Sequence, residues 1–405
     1  MNDTGNLEKR IKRHVQGRTH SFFISTLPGI EKVCFDELSR LGIPMADAIV
    51  SNGGIAFNGR IHDCYLANLK LRTANRILMR LATFTASNFR QLEKKLTGFP
   101  WELYLHKDAA LELNVTSKHS RLIHTDAIAQ RFKINITERL KTSADESEKN
   151  HNAHNIINKH SQEIFVRAEN DQFTVSIDST GQLLHKRGLK IQGGQAPVRE
   201  TIAAAILCLA GYQPVEPLID PMCGTGTFSL EAAMIANNIP AGWYRNFAFM
   251  DWPAFKPSRW KHIRREAAKQ MTQISEPMIF ASDINPEDSL KLEKIIQKNN
   301  FSDTINAFSS DFFDLHPENI HGMEKNMHPG LIALNPPYGR RLGNKSSIDD
   351  MFADIGKKLK KDFKGWKAAI LVPDKHLVKN FPFKAKTHEF FHGGLRITLV
   401  TGKIK

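Results

Sequence analysis

A four-residue apolar run, Leu331-Ile332-Ala333-Leu334, stops abruptly at Asn335-Pro336-Pro337-Tyr338. A short apolar run bounded by breakers reads as a buried strand. Pro336 and Pro337 lack the N–H that a central strand needs, so the strand has to end there. They also hold the following backbone extended. One edge of a sheet then presents an amide side chain, a main-chain carbonyl without a ladder partner and an aromatic ring. These groups suit an exocyclic amine on a planar base: two oxygens accept its N–H bonds and the ring stacks on the base.

From a boundary near Ser179-Thr180-Gly181, the chain reads as strands alternating with helices, the pattern of a mostly parallel α/β sheet. Strands are expected at 216–220, 278–282, 305–308, 331–334 and 368–372. Helices are expected at 227–236, 288–298 and 349–361, the last with a basic face of Lys357, Lys358, Lys360 and Lys361. Segments 388–391 and 395–400, joined by Gly393-Gly394, read as a terminal hairpin. Asp220, Asp283, Asp311 and Asn335 follow four successive strands, at the edge where open α/β sheets hold ligands.

The first strand end runs Asp220-Pro221-Met222-Cys223-Gly224-Thr225-Gly226-Thr227. Glycines belong where a ligand approaches the backbone closely or φ turns positive. The motif is neither G-x-G-x-x-G nor a P-loop, and no lysine stands near for a triphosphate. A small cofactor with a cationic centre and an amino-acid carboxylate fits better. Free N–H groups at the turn would take the carboxylate, and Asp220 would take the ammonium. Asp283, followed by Ile284, is placed for two ribose hydroxyls. Asp311 and Phe312 suit an adenine amine and its ring.

Before residue 179 the pattern is less regular. Residues 1–20 read as a flexible basic tail. A strand at 21–24 precedes a helix at 30–41, and Asn52-Gly53-Gly54 signals a hairpin within 46–57. Apolar spacing predicts one long helix over 61–81 with Arg72, Arg76 and Arg80 outward, and another over 89–105. A strand at 111–116 leads into Thr116-Ser117-Lys118-His119-Ser120-Arg121-Leu122-Ile123-His124-Thr125. Its hydroxyls and cations, ahead of a helix at 127–140, suit a phosphate. Two strands, 163–168 and 172–178, turn at Glu169-Asn170-Asp171. The polar stretch 142–162 reads as a mobile insertion or a loosely held helix, without a chemical role.

The chain has 405 residues and a net charge of +14, with pI near 9.5. Such an excess of cations points to a polyanion, nucleic acid before membrane. The longest apolar stretch, 202–211, is half of the ~20 residues that a span needs. No signal-peptide pattern is present. Four scattered cysteines and no Cys/His cluster argue against a zinc site or a disulfide framework, so a cytoplasmic location, reduced thiols and no metal are expected.

The Asp-Pro-Met-Cys-Gly-Thr-Gly-Thr and Asn-Pro-Pro-Tyr-Gly-Arg-Arg-Leu motifs resemble class I S-adenosylmethionine-dependent methyltransferases that modify exocyclic amines. More narrowly, the chain resembles the bacterial THUMP-domain methyltransferases of large-subunit rRNA that act on guanine N2. That resemblance runs from about Phe22 to the end. It rests on Asn68-Leu-Lys-Leu-Arg72-Thr-Ala-Asn-Arg76, on 116–125, on Asp178-Ser-Thr-Gly181, on Leu184-His185-Lys186-Arg187-Gly188 and on Ala196-Pro197-Val-Arg199-Glu200-Thr201.

The resemblance implies a ferredoxin-like part over 21–65, a THUMP RNA-binding domain over 66–178 and a Rossmann-like class I methyltransferase domain over 179–405. S-adenosylmethionine is the implied cofactor and rRNA, free or in a precursor particle, the implied partner. The methionine end of the cofactor is expected under the segment Gln195 to Thr201, with Pro197, Glu200 and Thr201 in contact. Asn335, Pro336, Pro337 and Tyr338 are the expected catalytic group. Arg72, Arg76, Lys118, Arg121, His124 and Arg187 are the expected RNA contacts. The catalytic motif alone also suits an adenine-N6 or protein-glutamine methyltransferase, and a non-catalytic rRNA-binding assembly factor is the reading outside enzymes. A second methyltransferase domain is not expected.

Overall fold

The computed structural model describes residues 3–145, 161–189, 198–323, 328–337, 345–392 and 395–405. They build two seven-stranded sheets. The first contains β1 (His20–Thr26), β2 (Ile49–Ser51), β3 (Gly54–Gly59), β4 (Ala74–Thr85), β5 (Leu111–Lys118), β6 (Gln162–Glu169) and β7 (Gln172–Asp178). Their order is β2-β3-β1-β4-β7-β6-β5, antiparallel except for the β5/β6 pair. Helices α1 (Asp3–Ile11), α2 (Glu31–Ser39), α3 (Ile61–Lys70), α4 (Phe89–Thr97) and α5 (Thr125–Asp145) accompany it. β4 pairs with β1 on one side and β7 on the other, so the parts expected at 21–65 and 66–178 share one sheet. The division between residues 65 and 66 falls inside α3.

Three expectations in this half are corrected. The helix expected over 61–81 stops at Lys70, and β4 begins at Ala74. Ile77 and Met79 are buried at a spacing of two, and strands on both sides supply the ladder. Glu37 of α2 accepts from the backbone N–H of Arg72 at 3.3 Å and of Thr73 at 3.0 Å, which fixes the break. The helix expected over 89–105 ends at Thr97, because Pro100 cannot continue it. A 3₁₀ turn, Trp101–Leu103, follows, with the Trp101 indole N–H donating to the Leu96 carbonyl at 3.2 Å. The flexible tail is instead helical from residue 3. Ile11 and Val15 enter the core, and Arg10 pairs with Glu102 at 2.6 Å. Of the stretch 142–162, residues 146–160 lie outside the described residues.

The second sheet contains β8 (Leu218–Asp220), β9 (Ile279–Asp283), β10 (Ile305–Ser309), β11 (Leu331–Leu334), β12 (Lys367–Val372), β13 (Lys386–His392) and β14 (Leu395–Lys403). The order is β10-β9-β8-β11-β12-β14-β13, parallel from β10 to β12, with β14 antiparallel to both β12 and β13. The order reverses between β8 and β11, the switch point that opens a crevice at the strand ends. Helices α6 (Glu200–Leu209), α7 (Thr227–Ala236), α8 (Pro257–Ala268), α9 (Pro286–Lys298) and α10 (Lys345–Asp362) belong to this half. Neither α6 nor α8 was expected. α6 is apolar on nearly every side and buried, so no face pattern marks it. α8 is largely charged and is anchored by Trp260, Ile263 and Ala267.

The two halves interlock. Phe247, Phe249, Trp252 and Trp260, although beyond α7 in the chain, join the core of the first sheet, with Tyr65 stacked on Phe249 at 4.3 Å. The buried Asn68 amide donates to the Ser179 hydroxyl and accepts from the Thr180 hydroxyl, both at 2.8 Å. Glu231 of α7 accepts from Arg187 Nε at 2.7 Å and lies 3.6 Å from Arg72 Nη1. Removing one partner of a buried, hydrogen-bonded ion pair costs about 3–5 kcal/mol. Glu231→Ala is therefore expected to lower unfolding stability by about that much in urea titrations. An unchanged urea midpoint would show that the two guanidinium groups do not depend on Glu231.

Candidate active site

β8 delivers Asp220 to a fully buried position at the sheet edge. The Ser229 hydroxyl and N–H, in the first turn of α7, donate to Asp220 Oδ2 at 2.7 and 3.2 Å. The turn between them is held by Cys223 N–H donating to the Ser282 carbonyl at 3.0 Å. Gly224 and Gly226 both have positive φ, 52° and 72°. A Cβ on Gly226 would stand 2.4 Å from Leu292 of α9, so that glycine lets the helix pack. A Cβ on Gly224 would meet nothing within 4 Å, so there the bare backbone borders open space. The Cys223 thiol is buried, and burial with Asp220 and Asp283 nearby holds its pKa well above the usual range. It stays a neutral thiol.

β9 ends in Asp283, which ties two loops together. One oxygen accepts from Gly224 N–H at 2.8 Å and the other from Asn285 N–H at 2.9 Å. Ile284 beside it is 68% exposed. After β10, Asp311 caps a 3₁₀ turn by accepting from Phe313 N–H at 2.9 Å. Phe312 is 2% exposed and stacks on Phe363, whereas Phe313 is 40% exposed. β11 ends at Asn335. Its amide oxygen is buried and accepts no hydrogen bond among the described residues. Pro336 is buried and Pro337 exposed.

These strand ends surround a cleft of about 710 Å³. Pro221, Met222, Cys223, Gly224, Thr225, Thr227, Asp283, Ile284, Asp311, Phe312, Asn335 and Pro337 border it, as the sequence leads one to expect. Val198, from the segment 195–201 expected over the methionine end of the cofactor, also borders it, and Asn285, Phe313 and Met351 do so without having been foreseen. Only Phe313 left a sequence trace, as the second ring of the Phe-Phe pair after Asp311. Gly226 sits behind the lining, under Leu292. Asp220, which was expected to meet the cofactor's ammonium, is also behind the lining, fully buried and held by Ser229. The Thr201 hydroxyl turns to the Asn75 side chain at 3.4 Å, and Glu200 borders a neighbouring cavity instead. Pro197 and Tyr338 lie outside the described residues.

The expected RNA contacts divide by exposure. Arg187 is 2% exposed and spends its guanidinium on Glu231 and on the carbonyls of Leu184 and Arg72. Arg72 reaches the carbonyls of Met234 and Ile239 and the Glu231 carboxylate. Arg76 pairs with Asp178 at 2.5 Å and Glu163 at 3.0 Å. Burial and these partners turn all three inward, which corrects their expected surface role. Lys118, Arg121 and His124 remain exposed. Their loop is braced on the β6–β7 turn: Arg121 N–H donates to Asp171 at 2.6 Å and Asp171 N–H to the Ser120 hydroxyl at 3.0 Å. Among the described residues no group of His, Cys, Asp and Glu could hold a metal ion. No helix among them is long and apolar enough to cross a membrane.

A parallel sheet with this switch point, a glycine turn, an acid at the next strand end and an amide after the fourth strand define a class I methyltransferase. Residues 187–397 match the RMKL-like methyltransferase domain and residues 21–78 the RlmL ferredoxin-like domain. The chain belongs to the RMKL-like methyltransferase family. It is 30% identical to the putative RNA methyltransferase slr0064 of Synechocystis sp. over 94% of this chain and 96% of that one. It is 31% identical to the ribosomal RNA large subunit methyltransferase K/L of Allochromatium vinosum, over 95% of this chain but 52% of that one. The chain thus spans about half the length of the K/L relatives. A crystal structure of SMU.472, a putative methyltransferase complexed with SAH, superposes with TM-score 0.82 at 29% identity over 96% of this chain and 99% of that one. A structure named as a predicted N6-adenine-specific DNA methylase from Listeria monocytogenes gives 0.82 at 26% identity, over 96% and 98%.

S-adenosylmethionine is the methyl donor of this class, and the cleft fits it. Gly224 leaves room for close backbone approach, Asp283 borders the cleft and would hold the ribose, and Ile284 and Phe313 offer apolar surface for a base. Asp283 also holds two backbone N–H groups, and hydrogen bonds to a charged group are worth about 1.5–3 kcal/mol each. Asp283→Ala should weaken S-adenosylmethionine binding by about 10- to 150-fold in calorimetry. An unchanged Kd would remove Asp283 from the cofactor site.

Proposed function

We propose that this methyltransferase transfers the methyl group of S-adenosylmethionine to the exocyclic N2 amine of a guanine in bacterial large-subunit rRNA. The observation that carries the reading is the Asn335 amide oxygen, buried at the cleft with no donor among the described residues. A buried acceptor without a partner costs about 1–3 kcal/mol, so it is a poor structural device and a good substrate contact. The exposed cations of the 118–124 loop and the net charge of +14 support an RNA substrate. The K/L name of several relatives supports a large-subunit rRNA target.

Bound S-adenosylmethionine supplies a methyl group already made electrophilic by its sulfonium, so positioning is the main task left to the protein. Asn335 Oδ1 and the Pro336 carbonyl accept the two N–H bonds of the amine. Guanine N2 delocalises its lone pair into the ring, and these acceptors favour the pyramidal, nucleophilic nitrogen. They also stabilise the positive charge that grows on it. Pro336 and Pro337 keep the carbonyl out of any ladder. Tyr338 is assigned to stacking on the base, worth ~1–3 kcal/mol. The amine proton becomes acidic only as the nitrogen gains charge, so no strong base is needed. The target base leaves its helix to reach the cleft. Residues 66–178 are assigned to gripping the RNA, with Lys118, Arg121 and His124 on phosphates.

Nucleoside mass spectrometry of large-subunit rRNA from cells with and without the gene tests the substrate. Loss of N2-methylguanosine, restored by purified protein and S-adenosylmethionine, is the expected result. A fall in N6-methyladenosine instead would move the assignment to adenine, whose amine meets the same acceptors. Asn335→Ala should cut methyl transfer by about 10²–10³-fold, the cost of removing one preorganised transition-state contact. Cofactor and RNA binding should persist. Near wild-type turnover would refute the role of Asn335.

A further inference from the structure

Beside the cofactor cleft lies a second cavity, of about 530 Å³. Val198 borders both. The second cavity sits where the His185–Gly188 turn meets the start of α6 and the Tyr244–Asn246 segment. A Cβ on Gly188 would stand 2.3 Å from the Tyr244 carbonyl, so turn and segment touch closely.

The charge around this cavity is unbalanced. Lys186, Arg187, Arg199 and Arg245 face it, against Glu200 and Glu231. Glu231 is committed to Arg187 and Arg72. Arg245 points its guanidinium at the carbonyls of Leu183, Lys186, Thr180 and Gln182, which hold it in place, and Asp178 is the acid near enough to favour its charge. Among the described residues neither Lys186 nor Arg199 has an ion-pair partner, and both are exposed. His185 also borders the cavity, and its Nδ1 is buried without a hydrogen-bond partner among the described residues. Burial first, then Arg199, Arg187, Lys186 and Arg245, push its pKa down to about 4. A neutral imidazole among four cations marks a place built to receive negative charge.

We propose, resting on the RNA methyltransferase reading above, that this cavity seats one backbone phosphate of the RNA strand whose base enters the cleft. The Lys186 ammonium and the Arg199 guanidinium donate to the phosphate oxygens. Arg245 and the start of α6 add fixed positive potential. The volume exceeds what a lone phosphate ion fills and leaves room for the attached ribose. Sharing Val198 with the cleft places the anion next to the chemistry, where it fixes the register of the strand.

The test uses the full-length protein and large-subunit rRNA from cells lacking the gene. Lys186→Gln, alone and combined with Arg199→Gln, is compared with wild type. For the pair, the slope of log affinity against log salt should shrink by about 0.7–0.9, the contribution of one phosphate. S-adenosylmethionine affinity should be unchanged, which also reports that the fold is intact. In parallel, ¹⁵N imidazole spectra of His185, assigned with His185→Gln, should show its pKa rising when rRNA binds. If wild type binds and methylates rRNA and the double variant keeps the same affinity and slope, the cavity inference fails while the function stands. If His185 responds to millimolar inorganic phosphate but not to rRNA, the cavity takes free anions and the inference fails. If wild type itself neither binds nor methylates rRNA, both readings fall.

Discussion

Glu231 is the point on which the two halves of this molecule turn. It sits on α7, the helix that starts at the glycine turn of the cofactor cleft. Its carboxylate is almost completely buried and balances Arg187 from the connecting segment and Arg72 from the end of α3. Two guanidinium groups removed from water demand such a partner, because a buried unpaired charge costs several kcal/mol. The element that shapes the cofactor turn is therefore also the element that receives the N-terminal half. Arg187 reinforces the joint by donating to the Arg72 carbonyl at 2.6 Å. Asn68, bonded to Ser179 and Thr180, and the aromatic residues 247–260 in the first core extend the same seam. The exposed loop at 118–124 and the cleft are consequently parts of one interlocked body.

This architecture accounts for which parts of the fold were legible in the sequence. The strands and helices of the second sheet were readable because each strand is a short apolar run ended by a breaker. The helix at 227–236 agrees at both ends with the structure, since Gly226 starts it and its apolar content is continuous. The four polar strand ends were readable for the same reason: each follows directly on such a run. The first half was harder. Between Cys64 and Leu81 the apolar residues satisfy helical spacing, yet α3 ends at Lys70. What converts the rest to β4 is pairing with β1 and β7 and the capture of two amides by Glu37, and all three partners are remote in sequence.

The same remoteness explains the arginines. Arg72, Arg76 and Arg187 look like surface cations in a basic chain. Their carboxylate partners, Glu231, Asp178 and Glu163, lie between 44 and 159 positions away, and periodicity carries no trace of them. Lys118, Arg121 and His124 have no such buried acceptor and stay outside. Within the site, the Phe312–Phe313 pair shows the finer limit. Both rings follow Asp311, and the 3₁₀ turn capped by Asp311 sends Phe312 to Phe363 and leaves Phe313 exposed. Sequence chose Phe312 for the base; both rings border the cleft, and the exposed one is its neighbour Phe313.

The acceptor pair at Asn335 has a consequence for specificity. An amide oxygen and a carbonyl recognise an amine and are blind to the ring that carries it, so guanine and adenine present equivalent partners to β11. A pocket that hydrogen-bonds a substrate group rejects analogues lacking that group, but it does not separate two substrates that share it. The choice of base must therefore be made by groups other than Asn335 and the Pro336 carbonyl. If the substrate is RNA, as proposed, cations at a fixed distance from the cleft would admit only those nucleotides whose backbone spans that distance once the base is extruded. On that proposal RNA shape would select the position, and the chemistry at Asn335 would need only an amine delivered to it.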